Sequence, residues 1–262
     1  MDCTKSITIS NLRKSFRSPD GYVDVLKGIN LEIPAGQIVG YIGPNGAGKS
    51  TTVKILSGII QDFDGVVSIL GYDIRTNPIE IKRRIGYIPE NAVMYDMLTP
   101  MEYLNFVGTL YGLDDDCIED KADRLLGLFE MGKHANQRMD TFSKGMKQKI
   151  LLISGMLHNP DIIFLDEPLS GLDANSVIIV KEMVTQLARE GKTIFYSSHI
   201  MDVVEKISDR IILINNGNVV ADGTMDSLMN GDNQSLERIF AQLTGKEGHQ
   251  VTAEAIVHAF EK

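Results

Sequence analysis

Residues 43–51 read GPNGAGKST, and this stretch decides the fold of the chain. It fits the phosphate-loop pattern Gly-x4-Gly-Lys-Ser/Thr, and it lies between an apolar segment, QIVGYI, and a segment of helical character, TTVKILSG. Glycines in such a loop let the backbone wrap closely around phosphate groups, so that successive N–H groups and the N-terminus of the following helix face the anion. The alternative is a glycine-rich turn without a ligand, and the flanking strand and helix argue against it.

The loop residues are predicted to hold the phosphates of a nucleotide together with Mg²⁺. Lys49 would reach the β- and γ-phosphates, and the Ser50 hydroxyl would bind Mg²⁺. The nucleotide-binding residues predicted for this segment are Gly43, Pro44, Asn45, Gly46, Ala47, Gly48, Lys49, Ser50 and Thr51.

A second chemical signal is the segment IIFLDEP, residues 162–168. Apolar residues followed by two carboxylates predict a buried strand that ends at the edge of the sheet where α/β folds bind their ligands. Asp166 would hold Mg²⁺, and Glu167, which we expect on the opposite side of the pleat, would orient or deprotonate a water that attacks the γ-phosphate. A polar strand terminus without a chemical role is the alternative, and the phosphate loop earlier in the chain weakens it.

The composition limits the classes of protein that the chain can form. Its 262 residues, 43% of them hydrophobic, suffice for one large domain or for two lobes that share an interface. A formal net charge of −9 argues against a nucleic-acid partner. Cys3 and Cys117 lack metal-ligand spacing, which favours reduced thiols in the cytosol. We expect no signal peptide, because the N-terminal residues MDCTKSITISNLRKSF lack an apolar core of the length that one needs, and no membrane span, because no apolar run approaches ~18 residues.

Short β-rich segments alternate with helical ones, which predicts an α/β fold. QIVGYI, DIIFLDE and TIFYSS are largely apolar, as strands covered on both faces are, whereas ITISNL and INLEI alternate like half-exposed strands. A sheet with a parallel core follows. DANSVIIVKEMVTQLAREGK predicts a covering helix, with Asp173 as its N-cap and Gly191 at its C-terminal end.

Residues 91–160 differ from their surroundings and predict an all-helical insertion. TPME, residues 99–102, is a capping box with proline at the first helical position, and CIEDKADRLLGLFEM places its apolar residues on one stripe. The stretch FSKGMKQK, residues 142–149, would begin the last helix of this insertion. Ser143 can be an ordinary N-cap there, with the lysines on a solvated face.

Further short motifs accompany the phosphate loop and the acidic strand end. They are GYIPE at 86–90, FSKGM at 142–146, SGLD at 170–173, and His199 after TIFYSS. In this order and at this spacing, they resemble the nucleotide-binding subunits of ATP-binding cassette (ABC) transporters across about residues 5–225. The resemblance implies a P-loop NTPase core with a mixed sheet and an antiparallel β-subdomain. The implied divisions are 1–90 and 161–225 for the core, 91–160 for the helical subdomain and 226–262 for a C-terminal helical extension.

The resemblance also implies an active site shared between two copies of the chain. Two chains would sit head to tail, with two ATP molecules held between the phosphate loop of one chain and residues 142–146 of the other. Ser143 and Gly145 would bind the γ-phosphate at a helix N-terminus, where the helix dipole favours anions. His199 would hydrogen-bond the γ-phosphate and the attacking water, and Asp173 would link the two sites.

The position of Phe16 implies one further contact, with the adenine ring of the nucleotide. Phe16, in LRKSF, matches the place where the family stacks an aromatic ring on adenine; a core phenylalanine is the alternative, and Tyr22 is a weaker candidate.

Two positions depart from the family's usual pattern. The usual signature Leu-Ser-Gly-Gly-Gln is Phe-Ser-Lys-Gly-Met here, so that Lys144 replaces a glycine and adds a charge near a phosphate. Glu90 stands where the family usually has a glutamine that binds Mg²⁺ and water, and a carboxylate can bind Mg²⁺ as well.

The motif variants resemble the ATPases of bacterial ABC-2-type systems, which are usually exporters. SLERIFAQLTG, residues 235–245, resembles the segment that often closes those chains, and a simple amphipathic helix is the alternative for it. The resemblance implies an ATPase at the cytoplasmic side of the cell membrane, docked near Glu90 to integral membrane permease subunits on another chain. The alternatives are a soluble ABC ATPase of the iron-sulfur cluster assembly type and an ATP-binding regulator without turnover.

Overall fold

The structure of the chain is a computed structural model that describes residues 5–19, 21–91, 94–229 and 235–243. In chain order the strands within these ranges are β1 (Lys5–Ser18), β2 (Gly21–Pro34), β3 (Ile38–Ile42), β4 (Asp64–Ile69), β5 (Tyr72–Asp73), β6 (Ile85–Ile88), β7 (Ile162–Asp166), β8 (Thr193–Ser198), β9 (Arg210–Asn215) and β10 (Asn218–Gly223). The helices are α1 (Lys49–Leu56), α2 (Pro78–Arg84), α3 (Pro100–Leu110), α4 (Asp115–Leu128), α5 (Lys144–Met156), α6 (Ala174–Arg189), α7 (Met201–Ile207), α8 (Met225–Leu228) and α9 (Leu236–Leu243). Short 3₁₀ turns at Gly132–His134 and Met139–Thr141 lie between α4 and α5.

The larger sheet has the strand order β10-β9-β3-β8-β7-β6. Its neighbouring strands are parallel, except for the antiparallel pair β9 and β10. Strands β3, β7 and β8 are buried along their whole length, as their apolar sequences predict. The predicted α/β fold with a parallel core is therefore confirmed.

The smaller sheet is antiparallel and has the order β2-β1-β4-β5. Along β2, Ile29, Leu31 and Ile33 are buried, whereas Asn30 and Glu32 between them are exposed. This alternation confirms the prediction of half-exposed strands, since successive side chains of a strand point to opposite faces.

The hydrophobic core is divided by the larger sheet, and β3 shows how. Ile38 and Ile42 join a cluster on one face, which includes buried residues of α3, α4, α5 and α6. Val39 and Tyr41 join a cluster on the opposite face, which includes residues of α1 and of the antiparallel sheet. The helical section thus shares its core with the sheet.

Local signals at the helix ends are confirmed by the structure. The Glu102 N–H donates to Thr99 Oγ1 (3.2 Å) and the Thr99 N–H donates to Glu102 Oε2 (2.8 Å), which completes the capping box of α3. The predicted stripe on α4 is buried at Ile118, Ala122 and Leu126. Helices α3, α4 and α5 all fall within residues 91–160, but the division of the chain at 90, 160 and 225 stays a prediction.

Cys3 and residues 244–262 lie outside the described ranges, and with them lies much of the predicted C-terminal extension. Within the described part of this extension, α9 packs its buried residues Leu236, Ile239 and Phe240 onto the rest of the chain. Among the helices of the described ranges, none combines the length and the apolar character needed to span a bilayer.

Candidate nucleotide-binding site

The phosphate loop connects β3 to α1, and Lys49 is the first residue of that helix. The Lys49 ammonium donates hydrogen bonds to the carbonyl oxygens of Gly43 (2.7 Å) and Pro44 (3.3 Å), which fixes it within the loop. Burial lowers the pKa of Lys49, while the carboxylates of Glu167 and Asp166 act in the opposite direction. The side chain is therefore an anchored cation among acidic groups.

Gly48 directly precedes α1 and needs to be glycine for two reasons. Its φ of 109° is a conformation that residues with a Cβ rarely adopt. An added Cβ would also lie 2.6 Å from Leu26 Cδ2, because β2 passes over this part of the loop. Glycine at this position therefore lets β2 pack closely against the loop.

Asp166 ends β7 and is almost completely buried, at 3% exposure. Burial raises the pKa of its carboxyl above the ordinary value, while hydrogen bonding to the Ser50 hydroxyl acts to lower it. Its Oδ1 atom is buried without a hydrogen-bond partner among the described residues. A buried carboxylate oxygen without a partner next to a serine hydroxyl is a donor set that suits Mg²⁺.

Glu167 does not continue the pleat of β7, which corrects one expectation from the sequence. The strand ends at Asp166, and Glu167 adopts a left-handed conformation with φ 51°. Its orientation is therefore set by a turn, and such strain persists only where the surroundings hold it in place. The Glu167 N–H donates to the Ser197 carbonyl at 2.9 Å.

The Glu167 carboxylate is held by residues at the end of β8. Ser198 Oγ donates to Glu167 Oε2 at 3.0 Å, and His199 Nδ1 lies 2.7 Å from Glu167 Oε1. The Glu167 side chain is 10% exposed, whereas the His199 side chain is 60% exposed. The pair therefore joins a buried carboxylate, suited to a general base, to an imidazole that reaches solvent.

Lys49, Glu167 and His199 line one cavity of about 410 Å³. Its lining consists of Val25, Asn45, Gly46, Gly48, Lys49, Ser50, Thr51, Glu90, Glu167 and His199. Glu90, which follows β6, thus comes to the same place as the phosphate loop although it lies about 40 residues further along the chain. Of the remaining predicted loop residues, Gly43 and Pro44 hold Lys49 through their carbonyls, and Ala47 is buried.

Outside the phosphate loop, the predicted site residues that do not line this cavity are Phe16, Ser143, Gly145, Asp173 and the buried Asp166. Phe16 lies on β1, 40% exposed, with the Lys14 ammonium 4.9 Å from its ring centroid. Ser143 is the N-cap of α5 and accepts a hydrogen bond from the Met146 N–H at 3.3 Å. The roles assigned to all the predicted site residues, inside and outside the cavity, stay predictions.

Asp173 has a structural role in its own chain. It caps α6 through the Ser176 N–H (2.9 Å) and the Ser176 hydroxyl (2.6 Å), as its position in the sequence predicts. These hydrogen bonds lower the pKa of Asp173 to about 2. The carboxylate also lies 3.5 Å from the Lys149 ammonium of α5.

Gly145 has a packing reason to be glycine. An added Cβ would overlap the carbonyl oxygen of Gly171 in the same chain. The glycine near the start of α5 therefore permits close contact with the loop after β7, whether or not a phosphate also approaches it.

Two residues of the site were missed by sequence reasoning. Val25 lines the cavity from the antiparallel sheet, and no local pattern marks it, because its place depends on how β2 crosses the loop. Ser198 holds Glu167, and its signal was available: a polar residue ends the buried strand directly before His199.

The fold and the site together define a P-loop NTPase. The family model described as ABC transporter matches residues 26–170, more than half of the chain. The Bacillus subtilis ABC transporter ATP-binding protein NatA is 37% identical over 236 residues, which cover 89% of this chain and 96% of NatA. The linearmycin resistance ATP-binding protein LnrL of B. subtilis is 35% identical over 218 residues, covering 83% of this chain and 69% of LnrL. The chain belongs to the ABC transporter family of ATP-binding proteins.

Solved structures give the same result for the fold. An ATP-binding subunit of an ABC transporter has a TM-score of 0.84 and 32% identity, covering 91% of this chain and 99% of that chain. A dimeric ATP-binding cassette bound to ADP and phosphate has a TM-score of 0.78 at 24% identity, covering 84% of this chain and 98% of that chain, which is a likeness of fold.

Proposed function

We propose that this chain is the ATP-hydrolysing subunit of an ABC exporter and that it powers transport through membrane subunits on a separate chain. The observation that carries the proposal is the cavity where the phosphate loop, Glu90, Glu167 and His199 meet. Membership of the family agrees with ATP as the nucleotide. The iron-sulfur assembly alternative receives no support from the relatives, which are ATP-binding proteins of transporters or of drug resistance.

In hydrolysis, Lys49 binds the β- and γ-phosphates, and Glu167 accepts a proton from the attacking water. Ser198 and His199 keep the Glu167 carboxylate turned toward the cavity, at 3.0 Å and 2.7 Å. The exposed imidazole of His199, which lines the cavity, would hydrogen-bond the γ-phosphate as well. Catalysis then depends on positioning and on electrostatic stabilisation, as phosphoryl transfer generally does.

Ser50, Asp166 and Glu90 would hold Mg²⁺, which when bound neutralises charge that develops on the phosphates. The described ranges contain no cluster of three or more His, Cys, Asp or Glu side chains arranged to bind a metal ion. Mg²⁺ is usually bound by one or two protein groups together with the phosphates, so the nucleotide would supply the remaining ligands.

The proposed dimer follows from the residues that stay outside the cavity. Ser143 and Gly145 belong to the start of α5 and do not reach the phosphate loop of their own chain. A second copy, head to tail, would bring them to the nucleotide. The dimeric cassette bound to ADP and phosphate supports a dimer for this fold, and the head-to-tail orientation is what the family resemblance implies.

The proposed membrane partner would bind a groove between α3 and the larger sheet. This groove has a volume of about 270 Å³, and its lining is rich in apolar and aromatic side chains. They include Ile59, Ile85, Tyr87, Tyr103, Val107 and Tyr111. Strand β6 runs from the groove, where Ile85 and Tyr87 lie, towards Glu90 in the nucleotide cavity. A membrane partner bound in this groove would be coupled to the nucleotide cavity through the short strand β6. Binding to such a partner would place the chain at the cytoplasmic side of the membrane.

Copurification from the native host in mild detergent tests this function. We expect a multi-span membrane protein to copurify with the parent chain. It should also copurify with the control variant Val66→Asp, which changes an exposed side chain on β4 outside the groove. Val107→Asp should abolish the association, because a carboxylate in an apolar interface is costly to bury. Recovery of water-soluble partners alone, or association that survives Val107→Asp, would contradict the proposal.

Glu90→Gln is expected to change the Mg²⁺ dependence of hydrolysis more than the affinity for ATP. The Glu90 charge acts on both Lys49 and Asp166, so its removal alters the electrostatics of the metal ligands. We expect the Mg²⁺ concentration at half-maximal rate to shift by roughly threefold or more, because ligand charge tunes the affinity for divalent cations. Titration of Mg²⁺ at saturating ATP measures the shift, with Glu80→Gln on α2 as the control. If neither Mg²⁺ dependence nor coupling to the membrane partner changes, Glu90 has no part in metal binding.

A further inference from the structure

Lys144 is the residue by which this chain departs from the usual signature, and the structure places its side chain on its own subunit. Its ammonium donates a hydrogen bond to Ser170 Oγ at 2.8 Å. Its methylene stem covers Gly171, where an added Cβ would lie 3.1 Å from Lys144 Cγ and 3.2 Å from Lys144 Cδ. The charge is therefore engaged within the chain that carries it.

The contact belongs to a face of α5 that packs along the loop at residues 168–173. On this face, Gln148 Nε2 donates to the Pro168 carbonyl at 3.2 Å, and the buried position of Gln148 protects that bond. One turn of helix separates Gln148 from Lys144, and Lys149 reaches the far end of the same loop at Asp173. The start of α5 and this loop consequently form one unit.

The loop at residues 168–173 directly follows Glu167. The Ser170 N–H donates to the Glu167 carbonyl oxygen at 3.1 Å, so the residue that accepts the Lys144 hydrogen bond also holds the backbone of Glu167. Glu167 has the strained φ of 51°, which needs support from its surroundings. A continuous path of two hydrogen bonds thus leads from Lys144 to the backbone of the proposed general base.

We propose that Lys144 is a positioning residue, which acts through Ser170 to hold Glu167 in its catalytic conformation. This inference rests on the proposed ATPase function and deepens it. Because Ser143, beside Lys144, faces the second subunit in the proposed dimer, the same path links closure of the dimer to the general base of the chain that supplies Ser143. A glycine at position 144 has no side chain to make this connection.

Steady-state ATP hydrolysis by the full chain tests the proposal. Lys144→Met, which keeps the stem and removes the ammonium, and Ser170→Ala, which removes the acceptor and leaves the charge, should each lower kcat about threefold to tenfold, the range expected for one hydrogen bond. KM for ATP should change by less than about twofold, because substrate binding is not affected. The double variant should be no slower than the single variants, since both substitutions break one connection. Lys144→Arg should restore most of the rate.

Lys147→Met is the matched control, because it removes a lysine from the same helix turn whose partner is Asp96 and not the loop. It should leave kcat unchanged, and thermal unfolding of every variant should match that of the parent chain. If Lys144→Met is slow while Ser170→Ala has the parent rate, Lys144 acts through its charge on a phosphate and the inference is wrong. Parent rates in both single variants would also overturn it. A parent chain that hydrolyses no ATP would instead refute the proposed function, which separates the two failures.

Discussion

Glu167→Gln should leave ATP binding intact and slow hydrolysis by about 10²–10⁴-fold, the usual contribution of a general base. The amide can still accept the hydrogen bond that Ser198 donates at 3.0 Å, so the local structure should persist. It cannot accept a proton from water, so ATP stays intact and the dimer closed around ATP should accumulate. Turnover assays and light scattering with and without ATP measure both effects.

Glu182→Gln is the control for this variant, because it neutralises an exposed carboxylate on α6 that does not line the cavity. It should turn over ATP at the parent rate and form no lasting dimer. Substantial hydrolysis by Glu167→Gln would remove Glu167 from the role of base and leave His199 as the next candidate.

Ser143→Arg should prevent dimerisation driven by ATP while the monomer still binds ATP. The residue caps α5 outside its own cavity, so the loss should appear only where two chains meet. An arginine there adds bulk and a charge to a closed interface, and an uncompensated buried charge costs several kcal/mol, which corresponds to a dimer dissociation constant raised roughly 10²-fold or more. Light scattering in the Glu167→Gln background measures dimerisation, and equilibrium binding of labelled ATP measures the monomer.

Ser143→Ala measures what the cap contributes to the stability of the chain. It removes the hydrogen bond from the Met146 N–H without adding bulk, and should cost about 1 kcal/mol of stability, a typical value for an N-cap. If the arginine variant dimerises as well as its parent, the predicted contact across the interface is wrong.

The features that could be predicted from the sequence are those with local causes. Glycine, lysine and serine in the phosphate loop, the capping box at Thr99 and the apolar strand before Asp166 each carry their physical reason within a few residues. The parallel core followed from strands that are apolar on both faces.

The features that could not be predicted depend on contacts between distant segments. Val25 enters the cavity because β2 crosses the loop, and no pattern near Val25 records that crossing. The left-handed turn at Glu167 was missed because the pleat was expected to continue beyond Asp166. The packing of Gly145 against Gly171 has no local signal either, and the phosphate contact of Gly145 stays a prediction.

The position of β6 in the larger sheet has a mechanical consequence. It is the last strand in the order, four residues long, and in the described sheet it pairs with β7 alone, whereas β7 pairs on both sides. Shifting β6 disturbs one ladder of hydrogen bonds, and shifting β7 disturbs two. If a partner occupies the groove, as proposed, a force on β6 would therefore shift Glu90 more readily than Asp166, which ends a strand that is paired on both sides.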